Sequence, residues 1–156
     1  MIEKAKVKDV EAIVNLVNSF AAKGIMLGIS KSYTYEHIRE YIVVKHNNEV
    51  IGCGALKVHW EDIAEIRSLA VDSKHHGNGV GAKIVRYLLR EAKELGIKKV
   101  FALTMQPNFF KKLGFKEISK DDLPYKIWKD CVNCPKFPGY CDEEAVIIEL
   151  SNIEEE

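Results

Sequence analysis

At 156 residues, with 47% hydrophobic and 29% charged residues, the chain carries enough apolar material for one compact core. Lys plus Arg number 23 and Asp plus Glu number 23, so the formal net charge is zero and the basic excess that nucleic-acid binders rely on is absent. The opening stretch, Met1 to Asp9, is charged, and no apolar run approaches bilayer-spanning length. A cytoplasmic protein is therefore expected, with no nucleic-acid or membrane partner and its four cysteines reduced.

Residues 2–7 read as a short strand. Val10, Ile13, Val14, Val17 and Ala21 then recur at helical spacing, and Gly24 supplies a left-handed stop. A second helix is expected over about 34–41, with Thr34 as its cap and Ile38 and Ile42 facing the core. Two β-rich runs follow, 42–46 and 49–60, joined by Asn47-Asn48, a pair that tolerates the positive φ of a tight hairpin. The spacing predicts a strand over 64–71, a helix over 80–95 ended by Gly96, and a strand over 99–104. Pro107 opens a short helix closed by Gly114, and strands are expected over 115–118 and 145–150. A polar excursion with Cys131, Cys134 and Cys141 occupies about 121–142. Hairpins followed by a strand–helix–strand unit predict a single α/β (α+β) domain over 1–156, with a mixed sheet flanked by helices.

The stretch His75-His76-Gly77-Asn78-Gly79-Val80-Gly81-Ala82 lies between a predicted strand and a predicted helix. Its glycines let an anion approach the backbone, and the helix start presents unpaired N–H groups and a positive dipole end. The same glycines also serve a plain tight turn. A P-loop is excluded, because Ala82 stands where its second glycine belongs and Ile84 follows Lys83. Gly77, Gly79 and Ala82 satisfy a dinucleotide fingerprint, but the next strand ends Phe101-Ala102-Leu103-Thr104 without the required carboxylate. A dinucleotide-binding oxidoreductase is the weaker rival.

The run Ala64-Glu65-Ile66-Arg67-Ser68-Leu69-Ala70-Val71, followed by His76-x-x-Gly79-x-Gly81, resembles the coenzyme A motif of the GNAT acetyltransferases, Q/R-x-x-G-x-G/A. His76 stands at the Q/R position. Asn108 to Phe115 is similar to the family's late helix ending in Gly-Phe. The resemblance implies a mostly antiparallel sheet with helices on both faces and acetyl-CoA as co-substrate. It implies main-chain contacts to the coenzyme from Leu69, Ala70 and Val71. It also implies a pyrophosphate cradle from His76, Gly77, Asn78, Gly79, Val80, Gly81 and Ala82, with Phe110 beside the coenzyme. Residues 60–71, 100–104, 110–115 and 123–130 further resemble the acetyltransferase domain of N-acetylglutamate synthases, small stand-alone bacterial forms above all. That comparison implies N-acetyl-L-glutamate as product, at the entry to arginine synthesis.

Acetyl transfer needs a neutral amine, and deprotonating one that titrates two units above the working pH costs roughly 2.7 kcal/mol. A carboxylate beside the amine can take that proton. Glu65 is the candidate base; the residues by themselves equally allow a carboxylate paired with Arg67, two positions along on the same strand face. Many family members place an acidic Tyr on the late helix, where this chain has Phe109 and Phe110. The synthase comparison points instead to Thr104 as acid or coenzyme contact.

For the acceptor, the synthases place Arg after the first helix, and the matching residue here is Ile29. Lys31 and Arg67 are the candidate cations, with Lys129 a further one, and Trp60, Tyr33 and Tyr35 either line the pocket or pack in the core. Cys131-x2-Cys134 with Cys141 lacks an obvious fourth ligand, so no metal is expected, and His37, His46 and His59 read as structural. Direct transfer in a ternary complex is favoured, the alternative being a non-catalytic coenzyme A sensor on the same fold. Related domains often pair through late strands, so the resemblance also allows a homodimer.

Overall fold

A computed structural model describes residues 1–123 and 143–150. Cys131, Cys134, Cys141 and Lys129 lie outside the described residues. Eleven elements follow in order: β1 (Ile2–Lys4), α1 (Val10–Ala21), α2 (Lys31–Glu36), β2 (Tyr41–His46), β3 (Glu49–Val58), β4 (Ile63–Val71), α3 (Val80–Glu94), β5 (Lys99–Thr104), α4 (Pro107–Lys111), β6 (Lys116–Ile118) and β7 (Glu144–Glu149). The strands form one seven-stranded sheet in the order β1-β2-β3-β4-β5-β7-β6. Every pairing is antiparallel except β4 with β5.

The pleat explains how two helices share this sheet. Along β2, Tyr41 and Val43 point to one face and join Ile13 and Val17 of α1. Ile42 and Val44 point to the other and join Ile84, Val85 and Leu88 of α3. Helices thus cover both faces. Gly52 and Gly54 on β3 bring α3 close: a Cβ on Gly54 would sit 2.7 Å from Ile84 Cγ2. The hairpin between β2 and β3 turns on Asn47 and Asn48, with φ of 52° and 64°, as their residue type allows.

Two expectations give way at the N-terminal side. The first strand stops at Lys4, because Lys6 N–H donates to Asp9 Oδ2 at 2.9 Å and starts a 3-10 turn, Val7–Asp9, instead. The second helix begins earlier than expected and ends at Glu36. Ser30, not Thr34, is its cap, accepting from Tyr33 N–H at 3.0 Å. Thr34 lies inside the helix, its hydroxyl donating to Ser30 O at 2.8 Å. Tyr41, assigned to that helix by spacing, belongs to the pleat of β2.

Asp9 ties the N-terminus to the sheet through Lys45, whose Nζ lies 3.0 Å from Asp9 Oδ1 and 3.0 Å from Glu3 Oε1. Burial pushes the Asp9 carboxyl up, but the Lys6 amide and the Lys45 ammonium outweigh it and hold it below the usual carboxylate range. A depressed carboxyl stabilises the fold above its unfolded value and loses that contribution as pH falls through its folded value. Asp9→Asn should cost about 1–3 kcal/mol in urea unfolding at neutral pH, with the gap to the parent closing in acid. Gly54→Val, which drives a side chain into Ile84, should cost a similar amount, about 1–3 kcal/mol, and at all pH values.

Candidate active site

β4 and β5 are paired only at Ile63↔Lys99, Ala64↔Val100 and Glu65↔Phe101, although β4 continues to Val71 and β5 to Thr104. Beyond Glu65 these parallel strands part, and their facing backbones open onto a cleft. A bulge accompanies the parting. Cys53 opposes Ala70 and Ala55 opposes Arg67, so Gly54 alone faces both Ser68 and Leu69. Ser68 takes φ 54°, the left-handed region. The extra residue inverts the pleat: Ile66 faces α3 before it, and Leu69 and Val71 face α3 after it.

Two buried side chains secure the bulge. Tyr41 Oη is 3.1 Å from Ser68 Oγ, and the Cys53 thiol donates to Ser68 O at 3.4 Å. Burial pushes the Cys53 thiol up to about 12, so it persists as the S–H donor this contact needs and is no thiolate nucleophile.

The cleft encloses about 940 Å³ and runs between two chemically different ends. At one end lies the glycine turn. Gly77 and Gly79 have φ of 86° and 76°, and Gly79 is the N-cap of the 15-residue α3. Among the described residues, no backbone acceptor takes the amides of Val80, Gly81 or Ala82. A Cβ on Gly81 would come within 3.2 Å of the Phe109 ring, so glycine lets α4 close the wall there. Bare amides, a helix dipole and missing Cβ atoms fit a pyrophosphate. His76 Nε2–H donates to Val71 O at 2.7 Å, which ties the turn back to the end of β4. Leu69, Ala70, Val71 and Phe110 line the same cleft; Asn78 does not.

The other end holds Glu65, Arg67 and Tyr33, and Thr104 and the loop from Ile25 to Ile29 line the same cleft. Glu65 is only 8% exposed. Its Oε1 lies 2.8 Å from His59 Nε2 and 3.8 Å from Arg67 Nε. Arg67 Nη1 donates to Tyr33 Oη at 3.4 Å. Thr104 Oγ1 accepts from Gln106 N–H at 2.8 Å, which leaves its own hydroxyl hydrogen to donate elsewhere. The loop is clamped by Asn18, whose amide donates to Ile29 O at 3.0 Å and accepts from Ile29 N–H at 2.9 Å.

Some expected groups are not assembled here. Lys31 does not line the cleft; its ammonium is 3.9 Å from Glu11 Oε1, with a side chain 58% exposed. Trp60 and Tyr35 are 59% and 48% exposed and neither packs in the core nor lines the cleft, whereas Tyr33 does line it. Spacing missed His59 and Asn18. His59 carried a signal nonetheless, because His59 lies opposite Ile63, two residues before Glu65, across a short β3–β4 turn.

Residues 18–115 match the model of the Acetyltransferase (GNAT) family. The chain is 40% identical over 146 residues to an uncharacterised N-acetyltransferase of Chlorobaculum tepidum, covering 94% of either chain. It is 41% identical over 133 residues to an amino-acid acetyltransferase of Mycobacterium tuberculosis, covering 83% of this chain and 76% of that one. A crystal structure from Mycobacterium tuberculosis in complex with CoA and NLQ superposes with TM-score 0.83 at 31% identity, over 96% of this chain and 98% of that one. N-acetylglutamate synthase from Neisseria gonorrhoeae, complexed with coenzyme A and N-acetyl-glutamate, gives TM-score 0.88 at 28% identity, this chain spanning 35% of its length. The chain therefore belongs to the GNAT family of acetyltransferases and is an N-acetyltransferase that uses acetyl-CoA.

Proposed function

We propose that this acetyltransferase, acting as one domain, acetylates the α-amine of an amino acid, L-glutamate first among the candidates. The product would be N-acetylglutamate, at the entry to arginine synthesis. The observation that carries this reading is a buried carboxylate, Glu65, beside Arg67 at the end of the cleft opposite the glycine turn. Likeness to amino-acid acetyltransferases supports the choice of acceptor.

In this reading the glycine turn and the amides of Val80, Gly81 and Ala82 hold the coenzyme's pyrophosphate, and the free edge of β4 from Leu69 to Val71 aligns its arm. Acetyl-CoA supplies a thioester whose carbonyl carbon accepts the amine nitrogen. Glu65 takes the ammonium proton, so the nitrogen attacks with its lone pair. A C–N bond forms as the C–S bond breaks. A backbone amide on β4 faces the developing oxyanion. The nitrogen sheds its second proton as the amide forms, and the departing sulfur takes a proton from solvent or from the Thr104 hydroxyl, which that nitrogen proton restores; with a thiol pKa of about 8.5 the sulfur leaves readily in either case. Arg67 receives the acceptor's carboxylate, since Ile29 packs against the apolar core beneath α1 and offers no charge.

Glu65→Gln should lower kcat by about 100-fold or more at neutral pH and leave acetyl-CoA affinity within twofold. Parent-like turnover in that variant removes Glu65 from the base role. Thiol release from acetyl-CoA, run against a panel of amino acids, should be fastest with L-glutamate, and Arg67→Ala should raise its KM by about 10–100-fold. Acetyl-CoA binding without turnover of any acceptor would favour the sensor reading instead.

A further inference from the structure

His59 does not line the cleft, yet it is the nearest polar neighbour of the residue that does the work there. It stands just past β3 at the short turn into β4, where its own N–H donates to Ile63 O at 3.0 Å. Lys57 pairs with Glu65, so alternation puts His59 on the Glu65 face of the sheet, one diagonal step away. Its ring lies 5.5 Å from that of Phe101, the residue paired with Glu65 on the other side. His59 is 8% exposed, as is Glu65, and the 2.8 Å contact joins His59 Nε2 to Glu65 Oε1. An ionised carboxylate only accepts, so this ring nitrogen carries the hydrogen.

We propose that His59 is a positioning residue for acetyl transfer: its Nε2–H pins Glu65 Oε1 from behind the cleft and turns Oε2 toward the acceptor amine. The proposal rests on the base role assigned to Glu65 above. A glutamate has three rotatable side-chain bonds, and a carboxylate held by one strong donor loses most of that freedom before substrate arrives. Arg67, 3.8 Å from the same oxygen, is too far for a hydrogen bond and is directed to Tyr33. It does not substitute for His59. Glu40, just before β2, lies within electrostatic reach of His59 and Arg67, and of Lys57 on β3 and His37 after α2. Burial raises the Glu40 carboxyl, against the pull of His37, Lys57, Arg67 and His59.

The test compares His59→Leu, His59→Gln, Glu65→Gln and the double variant His59→Leu/Glu65→Gln, each by thiol release from acetyl-CoA with the best acceptor of the panel. His59→Leu should lower kcat on the order of 10–100-fold, as displacement of a reacting group by about 1 Å does, with KM for acetyl-CoA unchanged. His59→Gln, which keeps a donor, should recover most of the loss. The deficit should shrink as pH rises and more of the amine arrives already neutral. Because His59 acts only through Glu65, the double variant should be no slower than Glu65→Gln alone. A parent-like kcat in His59→Leu, or a further loss in the double variant, overturns the proposal. If His59→Leu does not fold, His59→Gln decides alone: a deficit as large as that of Glu65→Gln counts against it. Parent-like turnover in Glu65→Gln defeats the base role itself and this inference with it, whereas a slow Glu65→Gln beside a fast His59→Leu defeats only the positioning.

Discussion

The parting of β4 from β5 is the constraint on which the rest of the molecule depends. Two parallel strands pair through Glu65 and Phe101 and then diverge, leaving edge backbone groups on both. A sheet normally completes such a ladder, since an unpaired polar backbone is costly when dry. Here the opening is held by the bulge at Ser68 and Leu69, which Tyr41 and Cys53 bond from the face that α1 covers. The cleft is therefore a product of strand register rather than a gap between domains. It places the end of β4 next to the glycine turn, so amides at the start of α3 and the free edge of β4 face one continuous space.

Electrostatics divides that space. The turn end offers backbone dipoles and, among the described residues from His75 to Ala82 that line it, no carboxylate, which suits phosphates. The Glu65 end concentrates ionisable groups on one face of β4: Glu65 and Arg67, with His59 behind and Tyr33 across. A buried carboxylate without partners would be expensive, and an imidazole donor at 2.8 Å provides one without filling the cleft. Cys53, by contrast, is sealed against Ser68 as a protonated thiol and plays a structural part.

The loop from Ile25 to Ile29 takes its path from backbone bonds. Asn18 clamps the Ile29 backbone in both directions, and a Cβ on Gly28 would lie 2.9 Å from Asn18 Oδ1. The loop's path is thereby set by backbone bonds, while the side chain at position 29 is free to vary in charge. In this chain it is apolar and packs with Met26 against the core. The cationic character at this end then falls, among the described residues of the cleft, to Arg67.

Much of this was legible in the linear chain. Helical periodicity marked α1 and α3, and β-rich apolar runs marked β2 to β5 and β7, to within a residue or two, because each helix buries one face and the sheet is covered on both. Gly79 and Gly81 announced the turn, since few other residues take its backbone angles or leave room for Phe109. Short elements were less legible: Thr34 is a cap by residue type, yet Ser30 caps the helix and Thr34 is buried inside it. The bulge was invisible, as an extra residue in β4 has no meaning until β3 lies beside it. Lys31 and Arg67 read as equal candidates in sequence; the tertiary structure leaves Lys31 beside Glu11 at the surface and turns Arg67 into the cleft. Local composition thus determined the elements and the glycine turn. Which side chains meet was decided by the tertiary structure: Tyr41 and Ser68, 27 residues apart, bond across the sheet, and even His59 and Glu65, close in sequence, come together only through the register of β3 on β4.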